Sequence, residues 1–370
     1  MSEEQPEQDR EGSSPGVPPL LRELLLAPGP SGYEQRPAAI WRDAASAFAE
    51  ASINAIGTPL ARVASKQGGS GERPRRLLVV GHIDEIGLIV THIDDEGFLY
   101  FAEVGGWDPQ ILVGQRVVLD TRGGPVRGVV GKKPIHLLRS EERTKVAQVR
   151  ELHIDIGAAD GEQARERVRV GDVAVIDSEP VELLDRRLVS RALDNRLGSY
   201  VALEAARLVS EAGGAPWEFA AIAATQEEIT SAGAHTAAFA LEPDAAIVLD
   251  VTHATDAPGI EVKEIGKHPL GSGPVICRGS TLHPGIFERL HDVAEAEQIP
   301  FTIEASARAT GTDADAVHFS RGGIPTGLVS IPLRYMHSPV ELVQLDDVEH
   351  TAKLVAAFAL ALGAETSFAR

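Results

Sequence analysis

The chain has 370 residues, 43% of them hydrophobic, and a formal net charge of −19 with a pI near 5.1. That length holds one large domain with an insertion, or two domains. The acidity, with no Lys/Arg cluster to offset it, excludes a protein that grips a phosphate backbone, so no nucleic-acid partner is expected. No run reaches the roughly 20 apolar residues of a membrane span, and the first residues carry neither a basic stretch nor an apolar signal core. A single cysteine, Cys277, permits no disulfide within the chain and reads as a small buried residue of a reducing compartment. The expected location is cytoplasmic, with no membrane partner.

In chain order, residues 1–18 are rich in Glu, Gln, Ser, Gly and Pro and are expected to form a disordered acidic tail. Leu20 to Leu26 predicts a short helix stopped by Pro28-Gly29-Pro30, and a second helix is expected from Pro37 to about Glu50. A strand follows near Ala61 to Val63, then a flexible turn at Gly68-Gly69-Ser70-Gly71. Arg76 to Gly81 reads as a buried strand ending in His82-Ile83-Asp84. Strand alternation points His82 and Asp84 to the same side. Such a pair is either a histidine satisfied by a local carboxylate or a metal ligand whose ring the carboxylate orients.

From residue 88 to 184 the texture changes to short β-type runs between turns, such as Phe98 to Phe101, Gln115 to Leu119, Gly128 to Val130 and Asp172 to Ile176, with one helix within Glu162 to Arg169. This predicts a small β-barrel inserted into an α/β domain made of residues 19–87 and 185–370. The α/β texture resumes with Asp194, placed as the N-cap of an amphipathic helix. Next comes the strand Glu218 to Ile222, read as stopping at Glu227-Glu228, and then Ala245 to Leu249, ending at Asp250. A helix over Pro284 to Ala296, a strand over Gly327 to Ile331 leading to His337, and a closing helix over Leu345 to Leu362 complete the chain.

Strands alternating with helices imply a mainly parallel sheet flanked by helices, whose ligand crevice lies beyond the carboxyl ends of its strands. His82 and Asp84, Glu227 and Glu228, Asp250 and His337 then converge on one edge. Adjacent buried carboxylates repel and lose hydration unless a cation meets them. Two imidazoles among carboxylates, with no thiolate, are a donor set for Zn²⁺, Co²⁺ or Mn²⁺.

These segments resemble the dinuclear-metal aminopeptidase family of glutamyl, deblocking and tetrahedral aminopeptidases. The similarity spans Leu20 to Leu362 and rests on an ordered set of motifs: Pro28 to Glu34, Gly81-His82-Ile83-Asp84-Glu85-Ile86-Gly87, Gly105 to Gln110, Leu193-Asp194-Asn195-Arg196, Gln226-Glu227-Glu228, Leu249 to Thr252, Gly311-Thr312-Asp313-Ala314 and Arg334 to Pro339. The resemblance implies a zinc-exopeptidase-like fold and two divalent ions bridged by Asp194. One ion would also be held by His82 and Asp250, the other by Glu228 and His337. Glu227 would be the general base, and Asp84 the carboxylate behind His82. It further implies short peptides as substrates, cleaved at the N-terminus by metal-activated water, and self-association through the barrel into dimers or a hollow dodecamer.

One departure stands out. The family's Gly-Leu-Arg-Gly-type turn after the glutamates reads Ile229-Thr230-Ser231-Ala232-Gly233 here, which bears on loop shape or substrate preference and leaves the metal set intact. Asp313 and Asp315 are expected in the pocket wall, and His235, His253 and His318 in loops or packing. Paired carboxylates also serve glycoside hydrolases, and a non-catalytic peptide-binding scaffold is the other alternative. The 3 Trp and 4 Tyr offer little sugar stacking, and the intact Glu227 speaks for catalysis.

Overall fold

Leu77-Leu78-Val79-Val80 is apolar at every position, so it needs cover on both faces. In the computed structural model, which describes residues 16–66, 73–363 and 365–368, it lies in the strand Arg76–His82 of an 11-stranded sheet. Leu77 and Val79 join one hydrophobic cluster, Leu78 and Val80 another on the opposite face. Helices Leu193–Glu211 and Leu345–Ala361 cover the first face, and Ala232–Leu241 and Asp313–His318 cover the second.

Glu218–Ala224 and Ala245–His253 pair parallel with Arg76–His82 on either side, and Thr326–Arg334 continues parallel beyond Ala245–His253. The carboxyl ends of these strands therefore share one edge. Along both flanks of this block the pairing is antiparallel. Pro59–Val63 and Glu50–Ile53 extend one flank, and Glu341–Gln344, Arg187–Ser190 and Val181–Leu183 the other. Val275–Gly279 and Thr302–Ser306 branch from Thr326–Arg334.

Past His82 the chain leaves the sheet, and Gly87–Ile93 opens a closed barrel with Leu99–Val104, His153–Asp155, Val126–Gly131, Arg116–Asp120 and Val173–Ile176. Leu88, Val90, Leu99, Val117, Leu119 and Ile154 are among the residues filling it. A mixed α/β sheet carrying an inserted barrel is the expected fold class.

Two local devices bring the edge together. A Cβ on Gly81 would lie 2.2 Å from the Gly198 carbonyl carbon, so glycine here lets the first turn of Leu193–Glu211 rest on the end of the His82 strand. Behind it, buried Arg196 donates to the carbonyls of Ile83 (2.7 Å) and Ala27 (2.6 Å) and to Glu85 (3.0 Å). Arg191 also pairs with Glu85, which accepts the Gly29 N–H (3.0 Å). These buried charges are paired and hydrogen-bonded, as the interior requires, and they tie the Pro28 to Glu34 turn to the His82 segment.

The sequence reading needs correction in four places. The helix expected to reach Glu50 runs only Gln35–Ala45. Glu50–Ile53 instead forms a hairpin with Pro59–Val63, whose turn is closed by Asn54 accepting from the N–H groups of Ile56 (3.1 Å) and Thr58 (2.9 Å). The strand expected to stop at the two glutamates ends at Ala224, and Glu227 and Glu228 open the one-turn helix Glu227–Thr230 behind left-handed Gln226 (φ 60°). Asp250 is not a strand end, because its strand runs on to His253. Asp194 is not the cap of its helix, as described below. The tail expected over 1–18 lies outside the described residues as far as residue 15, as does the turn at 68–71.

Candidate metal centre

His82 closes its strand in register with Ala224, both inside the ladder. Two residues on, fully buried Asp84 lies with Oδ1 3.4 Å from His82 Nδ1. Asp84 also accepts the Ser31 hydroxyl (2.5 Å) and the backbone N–H groups of Glu227 and Glu228 (3.1 Å each). One carboxylate thus pins the Glu-Glu turn to the His82 strand. Glu34, on the Pro28 to Glu34 turn, accepts the Gln226 N–H (3.0 Å) from the other side.

Asp194 has non-helical angles (φ −79°, ψ 106°) at the start of Leu193–Glu211, and its peptide bond to Asn195 is cis. The capping role falls to Asn195, whose Oδ1 accepts the Gly198 N–H (2.8 Å) while its Nδ2 donates to the Leu249 carbonyl (2.8 Å). The Asp194 carboxylate is left facing the sheet edge. Its Oδ1 lies 3.1 Å from His82 Nε2 and its Oδ2 3.4 Å from His337 Nε2.

His337 sits in a left-handed turn (φ 58°) after Thr326–Arg334. Its Nδ1 is 2.9 Å from the Gly106 carbonyl. A carbonyl only accepts, so Nδ1 carries the proton and Nε2 is free to act as a donor atom. That Nε2 is 3.3 Å from Glu228 Oε1, and His82 Nε2 is 4.0 Å from Asp250 Oδ1.

Three groups of side chains could each hold an ion: His82 with Asp194 and Asp250, Asp194 with Glu228 and His337, and His82 with Glu227 and Glu228. The first two share Asp194 through different oxygens. Donor atoms about 2.0–2.1 Å from a tetrahedral ion stand roughly 3.3 Å from one another, and the closest separations around Asp194 match this.

The electrostatics point the same way. Burial, then Asp250, Asp313 and Glu228, drive the Glu227 carboxyl up to about 9 against the opposing pull of His82. Burial also raises Glu228 and Asp250. Hydrogen bonds to Asp194 and Glu228 push His337 up to about 11. Burial works against protonated His82, yet Glu227, Asp194 and Asp84 together raise it well above the usual imidazole range. Burial likewise opposes the Asp194 anion, and the two histidines hold its pKa low all the same. As bare groups these carboxylates and imidazoles must take up protons to coexist, and cations would replace those protons. The residues fit divalent metal.

The M42 glutamyl aminopeptidase family model matches residues 61–354. The chain belongs to the M42 glutamyl aminopeptidase family. It is 35% identical over 346 residues to the lysyl aminopeptidase of Pyrococcus furiosus, covering 91% of this chain and 95% of that one. Among solved structures it is similar to the TET aminopeptidase of a marine-sediment Thaumarchaeota archaeon, at 36% identity and a TM-score of 0.86 over 93% of this chain and 95% of that one. It is also similar to the Pyrococcus horikoshii TET1 peptidase, which can assemble into a tetrahedron or a large octahedral shell, at 31% identity and a TM-score of 0.80 over 93% and 99% of the two chains. This M42 protein is a metal-dependent aminopeptidase, a peptide-bond hydrolase, so the glycoside-hydrolase and scaffold alternatives are set aside.

Around the M42 centre, the two aspartates expected in the pocket wall part company. Asp313 is buried, its carboxyl raised to about 7 mainly by burial, and it adds to the field on Glu227. Asp315 accepts the N–H groups of Thr310 (3.0 Å) and Gly311 (2.9 Å) and so closes its own loop. Among the described residues, none of the three candidate groups includes His235, His253 or His318. The altered loop keeps its glycine for a steric reason, since a Cβ on Gly233 would lie 2.3 Å from Thr225 N. Ile229 and Thr230, at the departed positions, are exposed. The sequence reading gave no role to Gly106, which orients His337, to Asn195, which frees Asp194, or to Glu341. Gly106 and Asn195 lie inside motifs of the resemblance, but a backbone acceptor and a capping amide are not readable from them, and the lone strand glutamate Glu341 lies outside every motif.

Proposed function

We propose that this aminopeptidase works with two divalent cations (Zn²⁺, Co²⁺ or Mn²⁺), one held by His82, Asp194 and Asp250 and the other by Asp194, Glu228 and His337. The observation that carries this reading is the Asp194 carboxylate, which presents one oxygen to each histidine at 3.1 and 3.4 Å. When bound, the cations supply Lewis acidity, polarising the scissile carbonyl and lowering the pKa of a water toward about 7. Glu227 takes the proton from the attacking water and passes it to the leaving amine. Its place beside the centre, with its backbone pinned by Asp84, supports that role. Asp84 orients His82 and anchors both glutamates.

The substrates are short peptides with a free N-terminus, attracted as ammonium ions to this carboxylate-rich edge. The barrel is the self-association module, giving dimers or a dodecamer built from them, a reading supported by the assemblies named for the Pyrococcus horikoshii relative. The cytoplasm is the proposed location, supported by a lone, buried cysteine; no helix among the described residues is long and apolar enough to cross a membrane. A panel of aminoacyl-p-nitroanilides and their Nα-acetylated counterparts tests the reaction. Metal-loaded protein is expected to cleave the free-amine substrates and leave the acetylated ones intact. Equal cleavage of both would overturn the requirement for a free N-terminus.

A further inference from the structure

The proposed ligands fall into two classes by where their backbones sit. His82 and Asp250 lie inside the parallel ladder, in register with Ala224 and Ser330, so the sheet fixes them. Glu228, Asp194 and His337 lie outside it, in a one-turn helix, a non-helical turn and a left-handed turn. Glu228 takes its backbone support from Asp84. The other two converge on a single residue that makes none of the metal-type contacts above. Glu341, buried at the start of Glu341–Gln344, accepts the Asp194 N–H through Oε2 (3.0 Å) and the His337 N–H through Oε1 (2.9 Å).

We infer that Glu341 is a positioning residue that sets the spacing of Asp194 and His337, and thereby the affinity of the cation site they form with Glu228. This rests on the two-ion reading above. The carboxylate supplies to two turn residues the hydrogen bonds that regular secondary structure would otherwise give. Both its oxygens are engaged, so the two backbones are held relative to each other through one rigid planar group. The short strand Glu341–Gln344 anchors that group, pairing antiparallel with both Thr326–Arg334 and Arg187–Ser190.

The chemistry of the amide makes Glu341→Gln a selective probe. Glutamine keeps one acceptor oxygen and turns the other into an NH₂ donor, which opposes one of the two N–H groups. One turn is held and the other released. Glu341→Asp keeps both acceptors and the charge on a shorter stem.

Chelator-stripped wild type, Glu341→Gln and Glu341→Asp would be titrated with Co²⁺ by calorimetry and visible absorption, with melting of each stripped protein followed in parallel. Wild type is expected to bind two ions. Glu341→Gln is expected to weaken the site of Asp194, Glu228 and His337 roughly 10- to 100-fold, as loss of an outer partner does elsewhere. It should weaken the site anchored on the strand residues His82 and Asp250 less, since of that site it touches only the shared Asp194. Glu341→Asp should recover part of that loss, and the stripped variants should melt near wild type. If Glu341→Gln bound both ions as wild type does, the positioning role would be wrong and the two-ion reading would stand. Equal weakening of both sites with a lowered melting temperature would also overturn it, assigning Glu341 a general structural part. Wild type binding a single ion would overturn the two-ion reading and this inference with it.

Discussion

Replacing Glu227 by Gln is expected to lower kcat roughly 100- to 10,000-fold, the range a positioned general acid–base group contributes, with the bound metal unchanged. Glu227 lies outside both candidate groups that share Asp194. Its Oε2 is 3.8 Å from His82 Nε2, and its side chain is only 12% exposed, so it borders the centre from a largely dry position. Glutamine preserves size and leaves the backbone N–H that Asp84 holds, but it cannot accept the proton. The loss should therefore fall on kcat, while the metal content measured on the same sample stays at the wild-type value. A variant that kept wild-type kcat would remove Glu227 from the chemistry. One that lost metal in proportion to activity would make it a ligand, through the group it forms with His82 and Glu228.

Asp194→Ala is expected to have the broader effect. Each of the two proposed sites has three protein donors and both count Asp194 among them, so its removal leaves two donors on each side. Hydrolysis should drop by more than about four orders of magnitude, beyond the loss of a single acid–base group. Melting temperature gives an independent readout. A ligand that binds the native state stabilises it by mass action, so Co²⁺ should raise the melting temperature of stripped wild type and leave Asp194→Ala nearly unmoved. A wild-type metal-induced shift in the variant would contradict the shared position of Asp194.

Much of this site could be read in the sequence because the chemistry sits close to strand ends. The run Leu77 to Gly81 announces its own strand, so His82 and Asp84 were located by chain direction alone. The same logic brought Glu227, Glu228, Asp250 and His337 to one edge, although two details differed: the glutamates ride on a separate turn, and Asp250 projects from within its strand. Asp194 was different in kind. An aspartate before an amphipathic helix is an ordinary N-cap by local rules, and only the family resemblance gave it a metal role. In the structure Asn195 takes the cap and leaves the Asp194 carboxylate free.

What stayed hidden depends on long-range geometry. The Gly106 carbonyl that orients His337 belongs to a loop 231 residues earlier, beside the barrel. Glu341 acts through the backbones of Asp194 and His337, and backbone N–H groups leave no trace in side-chain patterning. The two outermost flank strands escape sequence reading for a related reason: Val181–Leu183 is exposed throughout and Glu50–Ile53 nearly so, giving no alternation to detect.

The central claim is that Asp194 joins two cation sites into one catalytic centre. Its most direct test is to add Co²⁺ stepwise to chelator-stripped protein while following bound metal and aminoacyl-p-nitroanilide hydrolysis in the same samples. The account predicts negligible hydrolysis in the stripped protein and full hydrolysis only as the second equivalent per chain binds. Full activity at one equivalent, or undiminished activity after stripping, would contradict it.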